Sequence, residues 1–229
     1  MIGICIPAHN EEADIDACLA AVQRASQHPD LHGEHVEVVV VLDACTDGTA
    51  ACVARWPALA LSTQHRNVGL ARADGAARLL ADGARWLAFT DADTVVSERW
   101  LVEQLALNAE VVCGTVAVAD WSSHGTLAER ARAAFDASYL DQDGHRHVHG
   151  ANLGISAGAY RAIGGFEALA CSEDQALVDR LEAAGVPIAW SARPRVTTSA
   201  RPYSRVSGGF ATALRQGWTG LAGDEVVVA

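Results

Sequence analysis

Two aspartates separated by one residue, Asp91 and Asp93, are the first candidates for chemistry in this sequence. They follow a short apolar segment, Trp86–Phe89, whose composition predicts a buried strand. Two carboxylates at positions i and i+2 beyond a strand can bind one divalent cation, because Mg²⁺ and Mn²⁺ prefer oxygen ligands and often share them with substrate phosphates. The same pattern is also typical of aspartates that cap a helix or face water, so its weight depends on the clusters that accompany it.

Two further polar clusters follow apolar segments earlier in the chain. The first is Pro-Ala-His-Asn-Glu-Glu at residues 7–12, and the second contains Asp43 and Asp47. In an open α/β sheet, ligands bind at the carboxyl ends of the strands, so clusters that are distant in sequence can converge on one crevice. Asp43 could accept a hydrogen bond from a uracil N–H or cap the next helix, whereas Asp47 is better explained as a turn or cap residue.

Charged residues near two predicted helix starts extend this set. Arg66 and Arg72 could pair with phosphates, although surface salt bridges are the simpler alternative. In the segment Ser-Glu-Asp-Gln at residues 172–175, Ser172 and Gln175 predict a capping box, and acidic residues favour a first helical turn. The same segment offers Asp174 as a general base for an acceptor hydroxyl.

Histidines and cysteines give weaker signals for a metal site. His145, His147 and His149 alternate and would share one face of a strand, which is a metal-ligand pattern, but a polar loop is the favoured interpretation. His149, beside Gly150, is the one most able to contact a ligand. The six cysteines form no Cys-x-x-Cys pair, which predicts buried free thiols in a reducing cytosol and no zinc site.

The elements that must position these residues alternate in type. Strands are predicted at residues 2–6, 36–42, 59–63, 86–90 and 111–119, and helices at 15–22, 49–55 and 67–81. This alternation predicts a mostly parallel sheet with right-handed crossovers. The less regular second half predicts a helix at 125–140, an extended segment at 150–156, a helix at 172–184 and a strand at 186–198 interrupted by prolines.

Composition limits the classes of partner and the number of domains. The 229 residues suit a single domain, with a nucleotide-binding half at about 1–120 and an acceptor half with a mobile C-terminal tail at about 121–229. A formal net charge of −11 and the lack of lysine argue against broad nucleic-acid binding. Neither a signal peptide nor a run of about 20 apolar residues is present, which predicts a cytoplasmic protein without a transmembrane segment and leaves a peripheral membrane contact open.

These clusters, in this order, resemble the family 2 glycosyltransferases, which have the GT-A fold. The likeness extends from about residue 2 to about residue 190. Residues 7–12 match the family's P-x-x-N-E-E segment, residues 42–49 its D-D-G-S-T-D-G-T segment, residues 91–93 its metal motif, and Gly164-Gly165-Phe166 with Glu173-Asp174 its G-G-F and E-D segments. The sequence departs from the pattern at Leu42 and Cys45, and no histidine follows the last predicted strand.

The resemblance implies a Rossmann-like, mostly parallel α/β sheet flanked by helices, with a smaller acceptor-side region. It also implies inverting, single-displacement transfer of a sugar from a nucleotide diphosphate, with UDP favoured because of Asp43. The acceptor would be a small molecule, a lipid head group or a short glycan. The nucleotide pocket would comprise Pro7, Ala8, His9, Asn10, Glu11, Asp43, Arg72, Asp91 and Ala92.

The remaining roles follow from the same resemblance. Asp93 and Asp91 would bind Mg²⁺ or Mn²⁺, and Asp174 would be the base. Weaker expectations are that His149, Asn152 and Glu173 contact the acceptor or donor sugar, and that Arg201 and Arg205 close over the diphosphate as a lid.

Two other functions are compatible with parts of this sequence pattern. A sugar nucleotidyltransferase would have a Gly-rich basic loop after the first strand, where this chain has Pro7-Ala8-His9-Asn10. A catalytically silent nucleotide-sugar-binding relative would have no need to retain Asp93 and Asp174. Turnover would separate that alternative from an enzyme.

Overall fold

A computed structural model describes residues 1–201 and contains one eight-stranded sheet flanked by helices. The strands are β1 Ile2–Ala8, β2 Val36–Asp43, β3 Leu59–Thr63, β4 Trp86–Phe89, β5 Thr94–Val96, β6 Val111–Val118, β7 Leu153–Ser156 and β8 Ile188–Thr198. The helices are α1 Ile15–Ser26, α2 Thr49–Val53, α3 Val68–Ala81, α4 Trp100–Ala106, α5 Ala128–Ser138, α6 Ala157–Ala162 and α7 Glu173–Ala183.

The strand order is β3-β2-β1-β4-β7-β6-β8-β5. The first four strands in this order are all parallel. Strand β7 runs antiparallel between β4 and β6, β8 is parallel to β6, and β5 closes the edge antiparallel to β8. Parallel pairs outnumber antiparallel ones, so the predicted α/β class with a mostly parallel sheet is confirmed.

The central strands are buried on both faces, as expected for parallel strands covered by helices. On one face, Ile4 of β1 packs with α1 and α4 through residues such as Leu19 and Trp100. On the other face, Phe89 of β4 packs with α3, α6 and α7. The carboxyl ends of β1, β2 and β4 therefore have fixed positions at one edge of the sheet.

Two predicted elements in the second half are present but begin later than predicted, and one predicted helix cap is wrong. The helix predicted at 125–140 begins only at Ala128, after a 3-10 turn in which Gly125 has φ 57° and ψ −127°. The segment predicted as extended at 150–156 starts with a 3-10 turn, Gly150–Asn152. The capping box does not form, because Ser172 has a left-handed φ of 59° and its side chain makes no cap hydrogen bond.

Several short elements were absent from the sequence-based prediction. These are β5, α4 and α6, which have three, seven and six residues and are too short to give a clear period. Strand β8 continues through Pro194, and the irregularity is taken up by a register shift between Gly114 and Thr115 of β6. No helix in residues 1–201 has the length and hydrophobicity needed to cross a membrane.

Candidate active site

A cleft of about 680 Å³ opens at the carboxyl ends of β1, β2 and β4. All three polar clusters identified in the sequence contribute to its walls, together with the start of α7. The predicted residues that line it are Pro7, Ala8, His9, Glu11, Asp43, Arg72, Asp91, Ala92, Asp93, His149, Glu173, Asp174 and Arg201. The fold therefore brings together residues that are distant in sequence: Glu11 and Arg201, 190 positions apart, are in direct contact.

The loop after β1 is held against the loop after β2. The Asn10 side chain accepts a hydrogen bond from the Thr46 N–H (2.8 Å), and the Glu11 N–H donates to the Thr49 hydroxyl (2.8 Å). Asn10 has a φ of 55° and is not among the residues that line the cleft. In the structure its side chain orders the loop that presents His9 and Glu11.

Asp43 at the end of β2 anchors the start of α3. Its Oδ1 accepts hydrogen bonds from the Arg66 N–H (3.0 Å) and the Thr63 hydroxyl (3.2 Å), and its Oδ2 accepts one from the Asn67 N–H (2.8 Å). Burial alone would raise the pKa of Asp43, but these backbone donors hold it below its usual value. Asp43 therefore lines the cleft as an ionised carboxylate and also anchors the start of α3.

Arg72 of α3 is 3% exposed and lies between two carboxylates. Its Nη2 pairs with Asp91 Oδ1 (2.6 Å), and its Nη1 pairs with Glu173. Burial opposes the charge of Arg72, yet these carboxylates hold its pKa above the usual value. The sequence predicted that Arg72 approaches the nucleotide; the structure adds that its two terminal nitrogens already bind protein carboxylates.

Asp174 stands in the first turn of α7 with both oxygens oriented by backbone donors. Its Oδ2 accepts from the Gly150 N–H (2.7 Å) and its Oδ1 from the Gln175 N–H (2.8 Å). Gly150 packs against the Arg72 guanidinium so closely that no Cβ would fit. The candidate base is thus positioned by the same packing that places Arg72.

Asp93 is buried, with a side chain 8% exposed, and faces a different arginine. Arg201 Nη2 pairs with Asp93 Oδ2 (3.1 Å), and Arg201 Nη1 pairs with Glu11 Oε1 (3.0 Å). Burial, aided by the nearby charge of Asp91, raises the pKa of Asp93, while Arg201 opposes that rise. Burial also disfavours the charge of Arg201, but Asp93 and Glu11 hold its pKa above normal.

Asp91 and Asp93 are the described residues best able to hold a divalent cation. Within residues 1–201, no group of three or more His, Cys, Asp or Glu side chains is arranged to hold a metal. Mg²⁺ can be bound through one or two carboxylates when water and substrate phosphates complete its shell. The two carboxylates supply the oxygen ligands that Mg²⁺ and Mn²⁺ prefer, and a cation at Asp93 would compete with Arg201 for this side chain.

The histidine segment forms a loop of stacked rings, as the favoured interpretation predicted. His147 stacks on Tyr139 with ring centroids 4.2 Å apart, and His149 Nε2 lies 3.0 Å from the Tyr139 hydroxyl. Burial, followed by the neighbouring His147 and His145, lowers the pKa of His149 to about 3. His149 therefore lines the cleft as a neutral ring.

Asn152, predicted as a sugar contact, lies away from the cleft. Asn152 is fully engaged in the core: it accepts from Trp100 Nε1 (2.9 Å) and donates to the backbone oxygens of Thr115 and Pro194. Because it does not line the cleft, its assignment as a sugar contact is corrected. Arg205 and the predicted tail lid lie outside the described residues.

Sequence reasoning did not identify several residues that line the cleft. Asn67 caps α3 by accepting from the Leu70 N–H (2.9 Å), and it lines the cleft together with the neighbouring Val68. Thr198 and Ser199 reach the cleft from the end of β8. The Asn-Val-Gly start of α3 was a readable cap signal, whereas the position of β8 next to β5 and β6 had no local signal.

Comparison with known proteins agrees with this architecture. The crystal structure of S. aureus TarS 1-349 in complex with UDP-GlcNAc superposes with a TM-score of 0.68 at 14% identity, over 91% of this chain and 61% of that one. The mannosyltransferase PcManGT from Pyrobaculum calidifontis, in complex with GDP-Man and Mn²⁺, gives 0.63 at 18% identity, over 97% and 64%. This chain thus spans about three fifths of their length. These likenesses support the GT-A fold.

Sequence families give the more specific assignment. A comparison with curated protein sequences finds no match. The sequence pattern of glycosyl transferase family 2 matches residues 3–164, which include the three polar clusters and the loop that contacts the candidate base. The chain therefore belongs to glycosyl transferase family 2.

Proposed function

We propose that this protein transfers a sugar, most simply a hexose, from a nucleotide diphosphate to an acceptor hydroxyl, in one displacement that inverts the anomeric centre. The observation that carries the proposal is the shared cleft: Asp43, the Asp91–Asp93 pair and Asp174 all line it. A donor site and a general base in one cleft are the minimum that direct transfer needs.

The donor would lie with its nucleoside near the ends of β1 and β2. Asp43 is ionised and can accept a hydrogen bond from the imide N–H of uracil, which favours UDP. One structural neighbour is described with UDP-GlcNAc and another with GDP-Man, so GDP is the alternative donor base. The nucleotide half of the domain would be residues 1–120 or so, and the acceptor half would follow.

The diphosphate would lie toward Asp91, Asp93 and Arg201. We propose that Asp91 and Asp93 hold Mg²⁺ or Mn²⁺, and one structural neighbour is described with Mn²⁺. When bound there, the cation would offset the negative charge of the leaving diphosphate. Arg201 offers a second positive charge on the same side of the cleft.

Asp174 would act as the general base in the transfer. Its two oxygens are oriented by the Gly150 and Gln175 N–H groups, and each keeps a lone pair for the acceptor hydroxyl. As the hydroxyl oxygen bonds to the anomeric carbon, its proton passes to Asp174, and the bond to the diphosphate breaks with its electron pair on the leaving oxygen. The acceptor class we propose is a small molecule, lipid head group or short glycan.

A catalytically silent nucleotide-sugar-binding protein is the second candidate. The observation that favours it is the pairing of both motif carboxylates with arginines, Asp91 with Arg72 and Asp93 with Arg201. Such a protein would bind the donor and release no product. Sugar transfer by the wild-type chain would exclude it.

The test is the Asp174→Asn variant, assayed for nucleotide release in the presence of donor and a panel of acceptors. We expect turnover to fall by about 10²-fold or more, the size of a general-base contribution, with donor binding unchanged. Asp179→Asn, on the exposed side of the same helix, is the matched control and should keep full activity. Normal turnover in the Asp174 variant would remove this residue from the mechanism.

A further inference from the structure

Arg201 and Asp93 form an ion pair at the place where the proposed function needs a metal. The Asp93 side chain is 8% exposed and that of Glu11 is 6% exposed, and both contact the Arg201 guanidinium. Carboxylates this deeply buried are stable in ionised form only when a cation compensates them. In the described part of the donor-free protein, Arg201 supplies that compensation.

The two arginines near the motif differ in how firmly they are held. Arg72 is 3% exposed, its guanidinium packs on Gly150, and it lies over the Phe166 ring. The Arg201 side chain is 33% exposed and follows the end of β8. Arg201 can therefore leave its carboxylates by side-chain rotation, whereas Arg72 cannot move without disturbing the core.

A guanidinium and a divalent cation compete for Asp93. Two like charges a few ångströms apart repel strongly in a buried site, so a metal on Asp93 weakens the hold of Arg201 there. A donor diphosphate brings negative charge into the same cleft and offers arginine a bidentate oxygen partner. The released guanidinium then has a new partner within the site.

We propose that Arg201 is an exchangeable counterion, bound to Asp93 and Glu11 without donor and transferred to the donor diphosphate when metal binds Asp93. This inference rests on the proposed function, because it needs a nucleotide diphosphate in the cleft. It makes metal and donor binding cooperative: Mn²⁺ alone binds weakly because it must displace Arg201, and nucleotide strengthens its binding.

The test measures Mn²⁺ and UDP binding separately by titration calorimetry on the full chain. In Arg201→Ala, we expect the affinity for Mn²⁺ alone to rise by about 5-fold or more, the lower range of coupling between sites. We expect the affinity for UDP at saturating Mn²⁺ to fall by roughly 10-fold, since a charged contact to phosphate is lost. A residue that merely stabilises the fold would move both affinities in the same direction.

Matched variants keep the test decisive. Arg195→Ala removes an arginine of β8, the strand that ends shortly before Arg201. Arg195 pairs with Asp141 (2.7 Å) outside the cleft, so its replacement should leave both affinities unchanged. Arg201→Gln is a second variant that keeps the unbranched stem as far as Cδ and removes the charge. It should show the same two changes in affinity, and it replaces Arg201→Ala in the test if the alanine variant folds poorly. Unchanged or lower Mn²⁺ affinity in folded Arg201 variants would overturn the inference. A wild-type protein that binds neither UDP nor GDP in the presence of Mn²⁺ would instead overturn the proposed function.

Discussion

At the residue scale, Asp43 serves both the fold and the cleft. Three donors from residues 63, 66 and 67 converge on its carboxylate, and the α3 helix that carries Arg72 begins directly after them. An asparagine has the same shape but would turn an N–H₂ group toward one of these donors. The ionised carboxylate of Asp43, with both oxygens as acceptors, is therefore needed for the geometry at the start of α3.

Asp43→Asn should lower the free energy of unfolding at neutral pH by about 1–3 kcal/mol, the cost of leaving a buried donor unpaired. The folded-state pKa of Asp43 is depressed, so its stabilisation is complete above its unfolded pKa of about 3.9 and is lost as the pH falls through the folded value. The difference between variant and wild type should therefore shrink in acid. Urea unfolding at neutral and acidic pH measures both quantities.

Asp179→Asn provides the control for that measurement. Asp179 is exposed on α7, where it accepts a hydrogen bond from the Gln175 side chain one turn earlier (2.7 Å). Its replacement should leave unfolding unchanged at either pH. A gap between Asp43→Asn and wild type that stays constant into acid would contradict the role assigned to the Asp43 charge.

Candidate site residues could be predicted from the sequence, but the directions in which their side chains point could not. Asp91, Asp93 and Asp174 could be identified because their clusters occur together and in an order that resembles the family pattern, although each cluster alone is also explained by helix capping. Asn152 looked equally suitable, yet its side chain points into the core. Its partners Trp100 and Pro194 are 52 and 42 residues away, so no local pattern could reveal them.

At the element scale, the 3-10 turn at Gly150–Asn152 connects the histidine loop to the candidate base. Its first residue supplies the N–H that orients Asp174 and presents a bare Cα to the Arg72 guanidinium. The turn therefore couples two parts of the cleft through one position. The sequence predicted an extended segment here. The turn was missed because Gly150 packs against Arg72, a residue distant in sequence, and no local pattern reveals such a contact.

Gly150→Ala should destabilise the protein by about 1–3 kcal/mol, the usual cost of overpacking a tight site, since the new methyl group would press on Arg72. Turnover should fall as well, because the Gly150 N–H would move away from Asp174. Thermal unfolding and a transfer assay measure the two effects.

The control is Gly158→Ala in α6. Its nearest neighbour would be the Ser156 hydroxyl at 3.8 Å, and alanine is the better helix former, so stability should hold or increase. Equal stability and turnover in the two alanine variants would show that the packing at Gly150 has no part in positioning the base.

At the scale of the whole molecule, the parallel half of the sheet could be predicted from the sequence, whereas the strand pairing in the other half could not. Strands β1, β2 and β4 are continuous apolar runs, as parallel strands buried on both faces must be, and their order along the chain was readable. The antiparallel insertion of β7 and the pairing of β8 with both β6 and β5 depend on contacts between distant segments. The half of the sheet that contains β8 also places Arg201 in the cleft.

The most direct test of the proposed donor site is thermal unfolding of the wild-type chain with UDP, GDP, CDP and dTDP, each with and without Mn²⁺. A ligand that binds only the native state raises its stability by about 2.7 kcal/mol at 100 times its Kd. We expect the largest rise with UDP plus Mn²⁺, and loss of the metal-dependent part in Asp93→Asn. If no nucleotide raises the unfolding temperature in either condition, the cleft is not a nucleotide-sugar site and the account is wrong.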